Sequence, residues 1–156
     1  MDRQLLVPYI LSLALALVYS LVVWKWPRVA RFTLGIGFMC ASVFNVWWAL
    51  NSPGVYVSAY GPHAIGLYHK FIYGAFARHT AAFVTAIACG QFVSGALVFA
   101  PPPWRRVGYV GAIIFLVAIS PLGIGAGFPS SLILAGAVAM LLWRDGAPTA
   151  ARAAST

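Results

Sequence analysis

The sequence predicts an all-α fold, a polytopic bundle of five transmembrane helices. Three observations carry that prediction. The chain is 62% hydrophobic and only 8% charged, whereas soluble domains carry about 25% charged residues. Its apolar residues fall in runs of about 20 residues, the length that crosses a bilayer as a helix. Tryptophans, prolines and basic residues punctuate those runs. A domain this small keeps much of its surface exposed, so lipid must be the solvent for much of the chain.

The first span covers about 5–24 and ends in Trp24-Lys25-Trp26-Pro27-Arg28. A signal peptide would need a basic start, a shorter core and a small-residue cleavage site. The aromatic and basic ending instead reads as a retained, anchored span. The second span covers about 32–50. The third covers about 80–100 and is closed by Pro101-Pro102-Pro103. The apolar stretch 107–143 would be about 55 Å long as one helix, too long for one crossing. Its middle, Ser120 to Ser130, holds two prolines and three glycines. The stretch therefore divides into spans of about 107–123 and 128–143.

The cations set an orientation. With five spans, Lys25, Arg28, Arg31, Arg105, Arg106, Arg144 and Arg152 share one side, against Arg3, Lys70 and Arg78 on the other. The positive-inside rule puts the N-terminus outside and the C-terminus in the cytoplasm. The longest connection, about 51–79, lies on the outer face. Its tyrosines suit an interfacial aromatic belt. Within it, residues 64–79 show apolar residues near helical spacing, which predicts an amphipathic helix in the headgroup region. Residues 1–144 form one transmembrane domain and 145–156 a short disordered cytoplasmic tail. All six tryptophans fall at span ends, as interfacial anchors do.

Several function classes are excluded. The net charge of +8 is spread singly between apolar runs, which is no basic face for nucleic acid. Acids occur only at Asp2 and Asp145, so no Ser/His/acid set can form. No span carries an interior charge, which argues against a proton-coupled pump. His63, His69 and His79 lack the spacing of a metal motif, and no metal or other cofactor is predicted. Gly123-x-Gly-x-Gly follows an apolar helix rather than a strand, so it is no dinucleotide fingerprint. Cys40 and Cys89 read as buried packing residues. Ala86, Gly90 and Ser94 make a small-residue stripe suited to close helix approach.

The polar residues within spans remain. Asn45 and Thr85 come out at matching depths and can meet if spans two and three pack together. Gln91 lies deeper, near the level of Cys40. Such amides serve either as glue between helices or as the lining of a small polar cavity. The candidate ligand-binding set is Asn45, Trp48, His69, Thr85 and Gln91, beneath the 51–79 loop.

Residues about 32–143 resemble the DoxX-like family of small bacterial membrane proteins. The resemblance rests on Gly35-Ile36-Gly37-Phe38, on Asn45 through Trp48 followed by Asn51-Ser52-Pro53, on Gly90 and Gly95, and on the glycine-rich break after Pro121. It implies a four-span block to which span one is an addition, in a bacterial inner membrane. Some relatives are linked to sulfur-compound oxidation feeding quinone, others to redox or stress-related membrane complexes. No catalytic residue carries over. Two readings of function emerge. The first is an accessory subunit of a membrane complex or a homo-oligomer, without catalysis of its own. The second is a protein that binds lipid or quinone for transport or membrane redox chemistry.

Overall fold

A computed structural model describes residues 3–146. Its helices are α1 (Arg3–Lys25), α2 (Pro27–Asn51), α3 (Gly54–Tyr60), α4 (Leu67–Phe71), α5 (Thr80–Leu97), α6 (Pro102–Ile119) and α7 (Ser130–Gly146). Wider and tighter helical turns occupy Ile72–Phe76, Gly61–His63 and Ser120–Ala126. There is no strand among the described residues. Four segments are long and apolar enough to cross a membrane: Leu6–Lys25, Pro27–Asn51, Thr80–Leu97 and Pro102–Ile124. Helix α7, with 17 residues, is shorter than these.

Proline explains where the boundaries moved from the sequence expectation. Helix α2 starts at Pro27 rather than near 32, and α6 at Pro102 rather than near 107. Proline has no N–H to satisfy and a fixed φ, so it suits the first helical turn. Arg28, Arg31, Arg105 and Arg106 are thereby drawn into the opening turns of helices. Helix α5 ends at Leu97, and a turn runs through Val98 to Pro101. Asp145 and Gly146, expected in a disordered tail, belong to α7. The rest of that tail, 147–156, lies outside the described residues.

The helices pack as neighbours in sequence, with α1 closing the bundle against α7. Arg105 meets Asp145 at 3.1 Å near one end of the α6–α7 pair, and Ser120 meets Ser131 at 3.1 Å near the other. These two helices are therefore antiparallel. Ser12 pairs with Ser130 at 2.9 Å, and Arg144 donates to the carbonyl of Val23 at 2.8 Å, so α1 runs parallel to α7. One end of the bundle thus collects the α1–α2 junction, the start of α6 and the end of α7, with their cations. The core is apolar, built around Ala30, Leu34, Val98, Ala112, Leu116 and Val138. Leu11, Leu15, Val18 and Leu21 on α1 face outward, as lipid-facing residues do.

Helix pairs approach closely where glycine removes the side chain. A Cβ on Gly95 would sit 2.9 Å from the Gly35 carbonyl oxygen, so α2 and α5 touch backbone to backbone. Gly108 does the same for α6 against α5, where a Cβ would lie 2.8 Å from the Ser94 carbonyl oxygen. Gly90, in the predicted stripe, has nothing within 4 Å of an added Cβ. Cys40 and Cys89 are exposed rather than buried, because they fall on outward faces of α2 and α5.

The segment between α2 and α5 is not one amphipathic helix over 64–79. It folds as α3, a tight turn, α4 and a wide turn. Gly66 takes a left-handed φ of +55°, and Gly74 leaves helical geometry at φ −100°, ψ −105°; each interrupts the helix the spacing predicts. Tyr56, Ala64, Ile72 and Phe76 fold inward against Ala49 and Val84. The segment therefore roofs one end of the bundle. Ile65 N–H donates to the Pro121 carbonyl at 3.2 Å, tying this roof to the α6–α7 turn.

Candidate functional site

Beneath that roof lies a cavity of about 760 Å³ between α5 and α6. Toward its floor the two helices close up, where Gly108 and Gly111 each bring α6 against Ser94 of α5. Further toward the roof, Gly90 leaves open space. Leu67, Phe71, Ile72 and Phe76 of the roof segment form one part of its wall, and Phe115, Ile119 and Leu122, on α6 and the turn after it, another. Ile87 and Ile114 line it yet are 48% and 63% exposed, so its mouth opens sideways between α5 and α6. No charged side chain is among its lining residues.

One wall is polar. Tyr56 donates its hydroxyl to Asn45, with the backbone oxygen at 3.0 Å and Oδ1 at 3.2 Å. Asn45 Nδ2 donates to Gln91 Oε1 at 3.1 Å. Below them, Ser42 donates to the Ala88 carbonyl at 2.7 Å, pinning α2 to α5. Tyr60 and Tyr68 also line the cavity. Burial raises the Tyr60 hydroxyl above the ordinary tyrosine value, so it stays protonated at neutral pH.

Of the predicted ligand set, Asn45 and Gln91 line the cavity and meet each other. Trp48, His69 and Thr85 do not line it. Trp48 stacks edge-on against Trp47 at 5.1 Å. His69 is exposed and packs tilted against Tyr73, ring centroids 4.8 Å apart. Thr85 does not reach Asn45, and its buried Oγ1 has no partner among the described residues. Matching depth is not enough for contact; direction decides. At about 100° per residue, Thr85 points about 120° away from Gln91 around α5, whereas Val84 points within about 20° of it. Helical side chains also lean toward their own N-terminus. In the antiparallel α2–α5 pair, Asn45 and Gln91 therefore lean toward each other and close their difference in depth.

Tyr56, Tyr60 and Tyr68 are site residues that the sequence places in an interfacial belt. Their only sequence signal is their number in a long connection. Phe115 and Leu122 give none, since an apolar residue in an apolar run looks the same whether it faces lipid, core or cavity. No three His, Cys, Asp or Glu side chains gather to hold a metal among the described residues. A volume of this size with apolar walls and a few convergent polar groups is the form of a small-molecule site. It can hold an elongated apolar molecule with a small polar head and admit it from the side. No protein-family model matches the chain, and no curated protein or solved structure matches it.

Proposed function

We propose that this chain is a five-span membrane protein that holds a lipid or quinone in the cavity between α5 and α6. The observation that carries the proposal is the cavity itself, apolar on most sides, amide- and hydroxyl-lined on one, and open laterally where a lipid-soluble molecule would enter. Binding there would serve transport or membrane redox chemistry. The fifth span is supported by the return of α7 to the end where α6 begins. At about 25 Å, α7 is short for a bilayer core, and Trp143 with Arg144 at its end is the kind of anchor that absorbs such a mismatch. The cation-rich end would face the cytoplasm of a bacterial inner membrane, with the N-terminus outside. The resemblance to the DoxX-like family belongs to the same proposal, supported by the long connection after Asn51 and the glycine break after Pro121.

A second reading has its own support. An apolar groove on the outer face of α2, lined by Ile36, Met39, Val43, Phe44 and Trp47, with Phe92 of α5 beside it, is shaped for a neighbouring helix. It favours an accessory subunit or a homo-oligomer.

Native mass spectrometry of the purified chain tests both readings. The cavity reading predicts one tightly retained lipid-soluble molecule that survives mild delipidation. It also predicts loss of that molecule in Gly90→Leu, whose side chain projects into the empty space beside Gly90. A parent chain that sheds all bound mass as readily as Gly90→Leu contradicts it. A stable higher stoichiometry would support the subunit reading.

A further inference from the structure

The polar wall of the cavity has a direction. Asn45 Oδ1 is engaged by the Tyr56 hydroxyl, and Gln91 Oε1 by Asn45 Nδ2. The carbonyl oxygens of both amides are thus partnered within the protein, each with a second lone pair left over. The amino end of Gln91 is not: neither of its two hydrogens finds an acceptor among the described residues. Gln91 is only 5% exposed and lines the cavity. Asn45 Nδ2 has one further hydrogen to give. Tyr60 and Tyr68 line the same space. Buried amide N–H groups are seldom left unpaired, because stripping their water without a replacement is costly.

Among the described residues, the cavity therefore offers unpaired amide N–H donors and no charged lining side chain. An anionic or cationic head would enter a low-dielectric space with no counter-charge, which is strongly unfavourable. A pure hydrocarbon would leave the Gln91 donors unmet.

We infer that the molecule held here carries an uncharged carbonyl oxygen, as in a ketone or ester, which accepts from Gln91 Nε2 at the polar wall while its apolar chain lies along Phe71, Phe76, Phe115 and Ile119. The inference rests on the proposed function and deepens it by naming the chemistry of the head. It separates the site from one for phospholipid head groups, whose phosphate the cavity has nothing to neutralise.

Four probes sharing one long hydrocarbon chain test it: the alkane, its methyl ketone, its carboxylate and its amine. The full chain, delipidated and reconstituted in phosphatidylcholine nanodiscs, is loaded with each, and retention is read by native mass spectrometry. The ketone is retained about three- to tenfold better than the alkane, the gain of one hydrogen bond between neutral groups. Carboxylate and amine are retained no better than the alkane. Gln91→Leu abolishes the ketone's advantage over the alkane, so the ketone-to-alkane ratio falls to about one. Equal retention of ketone and alkane overturns the inference but leaves the cavity reading standing, and so does preference for either charged head. If no probe is retained above the Gly90→Leu background, the cavity reading itself fails. The ketone-to-alkane ratio on the parent chain decides the matter even if Gln91→Leu does not fold.

Discussion

Two glycines in adjacent helices should respond oppositely to the same added methyl group. A Cβ on Gly108 would meet three backbone atoms at the end of α5 and the residue after it, the Ser94 carbonyl oxygen at 2.8 Å, Val98 N at 2.9 Å and Leu97 C at 3.0 Å. Comfortable contacts begin near ~3.5 Å, so α6 must retreat by roughly half an ångström or more. Backbone cannot rotate aside as a side chain can. Overpacking of this kind costs about 1–3 kcal/mol. Replacing a mid-helix glycine by alanine returns about 0.5–1 kcal/mol of helix preference. Gly108→Ala is thus expected to be net destabilising by about 0.5–2 kcal/mol. At about 2–4 °C per kcal/mol for a chain of this size, Tm falls by about 1–8 °C. Gly90→Ala meets nothing within 4 Å and keeps only the helix gain, so its Tm rises by about 1–4 °C. Thermal melts in detergent, followed by tryptophan fluorescence and by recovery on size exclusion, measure both. If the two substitutions shift Tm in the same direction, the account of why α5 and α6 touch at Gly108 and part at Gly90 is wrong. The cavity would then lose its structural explanation.

The topology and the roof are testable in the same way. In a background lacking Cys40 and Cys89, single cysteines at Ser58 and Gly146 should react with membrane-impermeant maleimide from opposite sides of sealed vesicles. Labelling of both from one side would refute the five-span topology. Gly123 holds φ +74° and ψ −151°, a region essentially reserved for glycine, and packs against the His63 carbonyl, so Gly123→Ala is strained by about 1–3 kcal/mol and also crowds that contact. It should speed proteolysis within residues 54–76 while leaving the cation-rich end intact, and an unchanged digestion pattern would show that the roof does not depend on this turn.

Much of the architecture is legible in the sequence because its causes are local. Apolar run length, flanking tryptophans and the Pro121-to-Pro129 break each act within a few residues, and each marks a helix or a helix end. Proline carries a second meaning that apolar run length hides. Pro27, Pro102 and Pro103 close the preceding span, yet they also open the next helix. The roof is harder. Spacing over 64–79 predicts one helix, yet Gly66 and Gly74 interrupt it, and Tyr56 just before it folds down onto Asn45 of α2. Nothing local distinguishes a tyrosine in a headgroup belt from one pointing into a cavity.

Partner choice in the site is only half legible. Asn45 and Gln91 stand out because amides in an apolar run need partners. Depth pairs Thr85 with Asn45, but a threonine well off the shared face cannot reach. The average habit of cysteine predicts burial for Cys40 and Cys89, and that habit assumes water outside. On lipid-facing helix surfaces it loses its force, since the exterior is as apolar as the core.

A photoreactive benzoylphenylalanine placed at Phe115 and, separately, at Val93, tests the cavity most directly. Phe115 lines the cavity, whereas Val93 is 54% exposed on α5 and is not part of the lining. Both variants would be irradiated in native membranes and their adducts identified by mass. Position 115 should yield one dominant adduct of a neutral, lipid-soluble molecule, and position 93 the mixed phospholipids of the surrounding bilayer. The same phospholipid mixture at both positions would contradict the account.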